Sequence, residues 1–539
     1  MAGLSVLLAL IWRRDRVKLP LILTLLIASL LAMVPLLRDI YGDADSLMTM
    51  YATFGVNPAG LFMTGPMDAP SFGAFMTVET VLWWGLVIAF INTTLIVRHT
   101  RHNEEIGAQE LILSGRTHRG TSLVAAMTTA LVVNLIIAVG IGGGIQLTNP
   151  GWGASESWLY GLAFGAFGLV WAAIASVVAQ LVEAGRSANS ILATLIGVGF
   201  ILRGIGDFLG SADASGQHQP AIISSFSPFG WMQATRSLTD PEWWPLVITL
   251  LVSVVMFGLA LWLLGKRDVG AGILPSRRGR ARASALLGKP FGLSLRLQRN
   301  IFVGWLVGVL VMVGTIGALV PQMSDVYSDS EQLMTMIEAI GGVGEMFPSF
   351  MSAMLAIVSL MIFAYALQGL MRLRGEEVSG HLESILSTRL SKVSWLTQHV
   401  MIVVLGGVIM LLVAGSSLAF ITNAMSDISL DVWQYSLASL SYLSILLVFV
   451  GLYVLLFGLL PRLASVVSWV YFGFVAFASW LGPILQLDES IMRLSVMHHI
   501  ASPPVEEVAI WPLVITSSLG LVMIIIGMSL WRSRDLGSS

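Results

Sequence analysis

The chain has 539 residues, 56% of them hydrophobic and 11% charged, with a formal net charge of −2. Soluble domains carry roughly 25% charged residues, so this composition excludes an ordinary globular protein and points to a polytopic membrane protein. Cysteine is absent, which excludes a disulfide framework or a thiolate metal site.

The opening stretch MAGLSVLLALIWRRDR places its basic cluster after the apolar run, the reverse of a secretory signal. Leu4 to Trp12 reads as an amphipathic helix on the membrane surface, with Arg13, Arg14, Arg16 and Lys18 at the headgroups. Crossing the hydrocarbon takes about 20 apolar residues of helix. Twelve such runs follow, near 19–37, 72–97, 121–146, 157–182, 188–209, 245–264, 301–320, 351–370, 397–421, 434–460, 467–485 and 511–530. Barrel strands are short and alternate in polarity, so the expected fold class is an all-α polytopic membrane protein with about 12 transmembrane helices.

Basic residues stay on the cytoplasmic side. With a cytoplasmic N-terminus and alternating loops, the inner segments hold 25 of the 29 Lys and Arg, all but Arg38, Arg203, Arg236 and Arg493. Both termini are then cytoplasmic. Ten of the 31 acidic residues also fall inside, and six of those ten lie in two loops.

Internal repeats explain why there are two. Residues 32–50, AMVPLLRDIYGDADSLMTM, match 318–336, ALVPQMSDVYSDSEQLMTM, at ten of nineteen positions. Residues 101–116, RHNEEIGAQELILSGR, match 374–389, RGEEVSGHLESILSTR, at eight of sixteen, and WPLVIT recurs at 244–249 and 511–516. The chain therefore reads as two parallel six-helix repeats, 1–265 with the N-terminal amphipathic helix and 290–539. The linker between them, 266–289, is basic, and its expected place is against anionic lipid. It lacks the aromatic interleaving of a nucleic-acid site. The repeated outer stretches around LMTM suggest either a Met-rich lid over an exit path or ordinary helices packed on the bundle.

Both acidic loops follow the second span of their half and share the pattern R-x-x-E-x-x-G-x-x-E-x-I-L-S-x-R. At about 100° per residue, Glu104, Gly107, Glu110, Leu111 and Ser114 share one helix face, as do Glu377, Gly380, Glu383, Ser384 and Ser387. A glycine on such a face admits a close backbone approach. The expectation is a docking surface for a protein partner, formed by Glu104, Glu105, Gly107, Glu110 and Arg116 in the first half. In the second it is formed by Glu376, Glu377, Gly380, Glu383 and Arg389.

Two six-helix halves, an N-terminal surface helix and an EExG-type loop after each second span resemble the permease subunits of ABC-2 type exporters. The likeness is greatest to the fused, double-length actinobacterial branch of tetronasin-resistance and mycobacterial multidrug permeases. The copies differ in register: the first reads NEEIG and the second EEVSG, which leaves open which glutamate of each pair makes the key contact. The resemblance implies that each loop is a coupling helix seated in an ABC ATPase subunit, two copies per permease. ATP and Mg would be bound by that partner and no cofactor by this chain. It further implies export of a small hydrophobic drug or antibiotic across the bacterial cell membrane. Neither Gly-Lys pair, Gly265-Lys266 or Gly288-Lys289, sits in a phosphate-binding loop, so the permease itself is not expected to be an enzyme.

Ionisable groups inside spans are costly and invite a functional reading. Glu79 in the second span, and Arg203 and Asp207 in the fifth, are candidates for a substrate cavity. The alternative is that Arg203 and Asp207 satisfy each other, four residues apart on one helix face, while Glu79 is buried as the neutral acid. The rival function is a proton-coupled secondary transporter of the twelve-helix type. Its loops after spans two and eight would be rich in Gly, Asp and Arg instead of Glu.

Overall fold

The structure is a computed structural model, and it describes residues 3–51, 55, 58–115, 117–148, 151–212, 218–274, 284–327, 346–425, 429–480, 482, 488–501, 503 and 509–535. The chain divides into two compact units, Met1–Gly279 and Arg280–Ser539.

In the first unit, α1 (Leu4–Asp15) is an amphipathic helix. Leu7 and Ile11 pack on Ala125, while Val6 and Leu10 stay exposed, as a helix at a lipid surface requires. Its last residue, Asp15, is buried because Arg98 and His99 each reach it at 2.6 Å. Six membrane-length helices follow: α2 (Lys18–Tyr41), α5 (Phe72–His99), α8 (Thr121–Thr148), α9 (Ala154–Leu181), α10 (Gly185–Phe208) and α12 (Trp244–Leu264). Between them lie the short helices α3 (Ala44–Met50), α4 (Pro58–Met63), α6 (Arg101–Glu105), α7 (Ala108–Leu113) and α11 (Pro228–Gln233). A two-residue antiparallel ladder joins β1 (Ser211–Ala212) to β2 (His218–Gln219).

Helix α9 is central, with 78% of its spanning window buried against 22% for α12. Its partners α5 and α8 are joined by a reciprocal amide pair: Asn92 Nδ2 donates to Asn134 Oδ1 at 3.1 Å, and Asn134 Nδ2 to Asn92 Oδ1 at 2.6 Å. Polar contacts of this kind hold helices together where lipid supplies no hydrophobic drive.

The second unit has its own core and contains α13 (Pro290–Tyr327), α14 (Met346–Val378), α15 (His381–Leu386), α16 (Lys392–Met425), α17 (Val432–Ser441), α18 (Leu443–Leu459), α19 (Ala464–Trp480), α20 (Glu489–Met492) and α21 (Ile510–Ser533). Helices α17 and α18 form one span with a break at Tyr442. Among the described residues, eleven segments are long and apolar enough to cross a membrane, and the fold is an all-α polytopic membrane protein. The expected run at 467–485 is represented by α19, only 17 residues long, and its remainder lies mostly outside the described residues.

The first LMTM copy is the end of α3, where Leu47 and Met50 are buried and Met48 is exposed. The second copy of LMTM, residues 333–336, lies outside the described residues.

Candidate functional site

The two acidic loops are not single helices. In the first, α6 ends at Glu105, Gly107 follows with a φ of +73°, and α7 starts beyond it. In the second, α14 runs on to Val378, Gly380 has φ +74°, and α15 follows. A residue in the left-handed region ends a helix, and glycine is the residue that adopts it without a Cβ penalty. The expected common face of Glu104, Gly107 and Glu110, and of Glu377, Gly380 and Glu383, is therefore replaced by two helices at each turn. Within this chain no neighbour approaches either glycine closely. A Cβ at either position would have nothing within 4 Å, so the requirement is conformational. Gly107→Ala and Gly380→Ala should each destabilise the loop by about 1 kcal/mol, read as faster amide hydrogen exchange at residues 104–113 or 377–386.

The turn sorts the glutamates into two groups. Glu104, ahead of it, is almost buried, with 10% of its side chain exposed. Arg267 grips it from the end of the sixth span with both terminal nitrogens, Nη1 to Oε2 at 2.8 Å and Nη2 to Oε1 at 2.5 Å. Arg101 Nη1 adds a bond of 2.6 Å to Oε2, and the backbone N–H of Gly270 one of 3.1 Å. Arg267 Nε also donates to Gln180 Oε1 at 2.8 Å, at the end of the fourth span.

The second unit repeats this junction. Glu377 is 8% exposed, Arg374 Nη1 donates to its Oε2 at 2.8 Å, and Arg534 Nη2, just past the sixth span, donates to its Oε1. Arg534 Nη1 donates to the carbonyl of Phe457 at 2.7 Å, again at the end of the fourth span.

The two junctions share one register within the chain. Glu104 and Glu377 occupy the same place, three residues before the turn glycine and three after an arginine that pairs with them. Their neighbours do not correspond. Glu105 accepts the N–H of Gly185 at 2.8 Å, at the start of α10, where a carboxylate also complements the helix dipole. Glu376 pairs with Arg372 at 3.1 Å and lies 3.7 Å from His381.

Beyond the turn, Glu110 and Glu383 are both exposed, as is Arg389; Arg116 lies outside the described residues. Gln109 beneath them is buried and bonded to Ser122 at 2.9 Å, and Leu382 is buried at the equivalent position. The same loops expose apolar side chains, Ile106 (57% exposed) before the turn and Leu111 (77%) after it in the first, and Val378 (69%) before the turn in the second.

Arg267 and Arg534 hold Glu104 and Glu377, whereas the sequence pattern places Arg267 in a basic strip on lipid. Instead its side chain is 3% exposed and engaged in the protein. The signal was present: Arg267-Asp268-Val269-Gly270 and Arg534-Asp535-Leu536-Gly537 repeat at an offset of 267, the same offset as WPLVIT.

Of the intramembrane candidates, Arg203 and Asp207 are fully buried and 3.2 Å apart. Arg203 Nη2 donates to the carbonyls of Phe62 (2.8 Å) and Met63 (3.0 Å), and Asp207 accepts the Ser224 hydroxyl at 2.9 Å. They tie α4 and the 222–226 turn to the end of α10, so the geometry supports mutual satisfaction over a cavity role. Glu79, half-buried on α5, has no hydrogen bond or ion pair among the described residues. A cavity of about 320 Å³ in this unit is lined by none of the three; Asp68, Trp231, Arg236, Glu242 and Trp244 contribute to its wall.

Two units, membrane-length helices throughout and a duplicated loop junction define a multi-pass α-helical membrane protein. Residues 287–532 match the family described as the C-terminal domain of the multidrug efflux system permease Rv1217c. Over 533 residues, 98% of this chain and 94% of the relative, the sequence is 28% identical to the multidrug efflux system permease protein Rv1217c of Mycobacterium tuberculosis.

Proposed function

We propose that this chain is the membrane subunit of an ATP-driven exporter of small hydrophobic drugs or antibiotics, powered by a separate ABC ATPase that docks on the two acidic loops. Two ATPase copies serve one permease, one per loop, and ATP and Mg are bound on them. The observation that carries this reading is the exposed face after each turn glycine. In both halves a short helix presents an exposed carboxylate, Glu110 or Glu383, that has no ion pair among the described residues, in a loop that also exposes apolar surface, while Gln109 or Leu382 on the same helix is buried. Charged rims around an apolar contact are the ordinary make-up of a protein interface. The relative's description as an efflux system permease protein also fits a multi-subunit machine. Glu79 is our candidate for a polar group on the substrate path, because its carboxylate is the intramembrane one without a partner among the described residues.

The test is co-purification of the tagged permease with its ATPase. Reversing both charges, Glu110→Arg with Glu383→Arg, should weaken that association about tenfold and abolish drug-stimulated ATP hydrolysis, with permease abundance unchanged. Drug transport that proceeds without any ATPase and follows the proton gradient would establish the secondary-transporter alternative instead.

A further inference from the structure

We propose that Arg267 and Arg534 are positioning residues of the transport cycle: each locks the buried glutamate of its loop to the ends of the fourth and sixth spans, so that these elements move as one body. The inference rests on the proposed docking of an ATPase on the loops.

Three observations converge on it. First, the junction occurs in both halves, with the same carboxylate register, the same i−3 arginine and the same sixth-span arginine. Nothing in the local sequence of a loop requires an arginine 163 or 157 residues away. Second, the contact is built to resist separation. The Glu104 carboxylate is held by a two-pronged guanidinium grip, an arrangement that fixes orientation as well as distance. Its partner Arg267 is buried, so pulling the two apart would strand charges out of water. In the second half the guanidinium of Arg534 also lies over the rings of Trp531, 4.5 Å away, and Phe457, 5.1 Å away. Third, the elements joined by the arginine are already packed on each other. Helices α18 and α21 meet backbone to backbone, Gly451 on Gly520 and Gly458 on Gly527. A load on α7 or α15 therefore reaches the fourth and sixth spans through a rigid contact, in addition to the second and third spans that the loop connects along the chain.

The native chain has no cysteine, so an introduced pair offers a clean test in the complete permease–ATPase complex. Glu377→Cys with Arg534→Cys removes the ion pair and leaves a gap that a short bifunctional maleimide can bridge. The readout is drug moved per ATP hydrolysed, at matched amounts of assembled complex, which a role in folding alone would leave unchanged. Without the reagent the ratio should fall about tenfold, within the usual range for coupling between sites, and bridging should restore most of it. Arg534→Lys keeps the charge and loses the grip; it should show a smaller drop and serves if the double variant does not assemble.

An undiminished ratio in the unbridged variant, or in Arg534→Lys when that is the one used, would overturn the proposal. So would transport blocked by the bridge, because loop and span would then have to move apart. Absence of ATPase binding or ATP-dependent transport in the wild type would instead defeat the underlying functional reading.

Discussion

Asp207→Ala is expected to lower the stability of the first unit by about 3–5 kcal/mol, the usual result of removing one partner of a buried ion pair. Both side chains of the Arg203–Asp207 pair are fully enclosed, 3.2 Å apart. Alanine would leave the guanidinium with two backbone carbonyls and no counter-charge, and would also leave the Ser224 hydroxyl without its acceptor. Thermal unfolding in detergent, followed by tryptophan fluorescence, should show a large drop in midpoint. The double replacement Arg203→Met with Asp207→Leu should cost much less, because no charge is then stranded. If the single and double variants lose the same amount, the pair is not the source of the stability. Retention of drug transport by the double variant would separate a structural pair from a substrate-binding one.

Gly527→Leu is expected to be the second severe change. A Cβ at Gly527 would lie 2.5 Å from the carbonyl oxygen of Val454 and 2.6 Å from the nitrogen of Leu455; at Gly520 it would lie 2.6 Å from the carbonyl carbon of Leu447. These are backbone atoms of α18, which cannot step aside as a side chain can. The two helices must separate along their length, at a cost of about 3 kcal/mol, the upper part of the range for overpacking, and the glycine seam is lost. The first unit places small, buried residues at the same repeat positions on α12, Ser253 and Ala260, so Ala260→Leu should act in the same direction. Both are checked by the yield of monodisperse protein and by the unfolding midpoint. A wild-type midpoint for Gly527→Leu would show that the fourth and sixth spans tolerate separation, and would weaken the rigid-body step as well.

Much of the molecule is legible along the chain. The apolar runs name the spans, because the transfer of each side chain into hydrocarbon is a nearly additive, local quantity. The spacing of Arg203 and Asp207 shows that they can pair. The duplicated loop pattern identifies the residues that matter, and the shared RD-x-G repeat after the sixth spans could have added Arg267 and Arg534.

Other features depended on three-dimensional placement. The pattern R-x-x-E-x-x-G-x-x-E fits one continuous helix, and only the backbone shows that each glycine is a left-handed turn. That turn decides which glutamate faces the bundle and which faces outward, so Glu104 is gripped from behind by Arg267 while Glu110 is exposed.

By itself, then, the sequence determined the membrane class, the number and order of the apolar segments to within one short helix, and the presence of two matched halves. Tertiary structure alone decided that Glu104 and Glu377 are interior and Glu110 and Glu383 exterior. The physical reason is separation along the chain. Hydrophobicity and repeat patterns are properties of neighbouring residues, whereas an ion pair between a loop and a helix end some 163 residues later exists only once helix packing has brought the two within about 3 Å, the reach of a charge-assisted hydrogen bond.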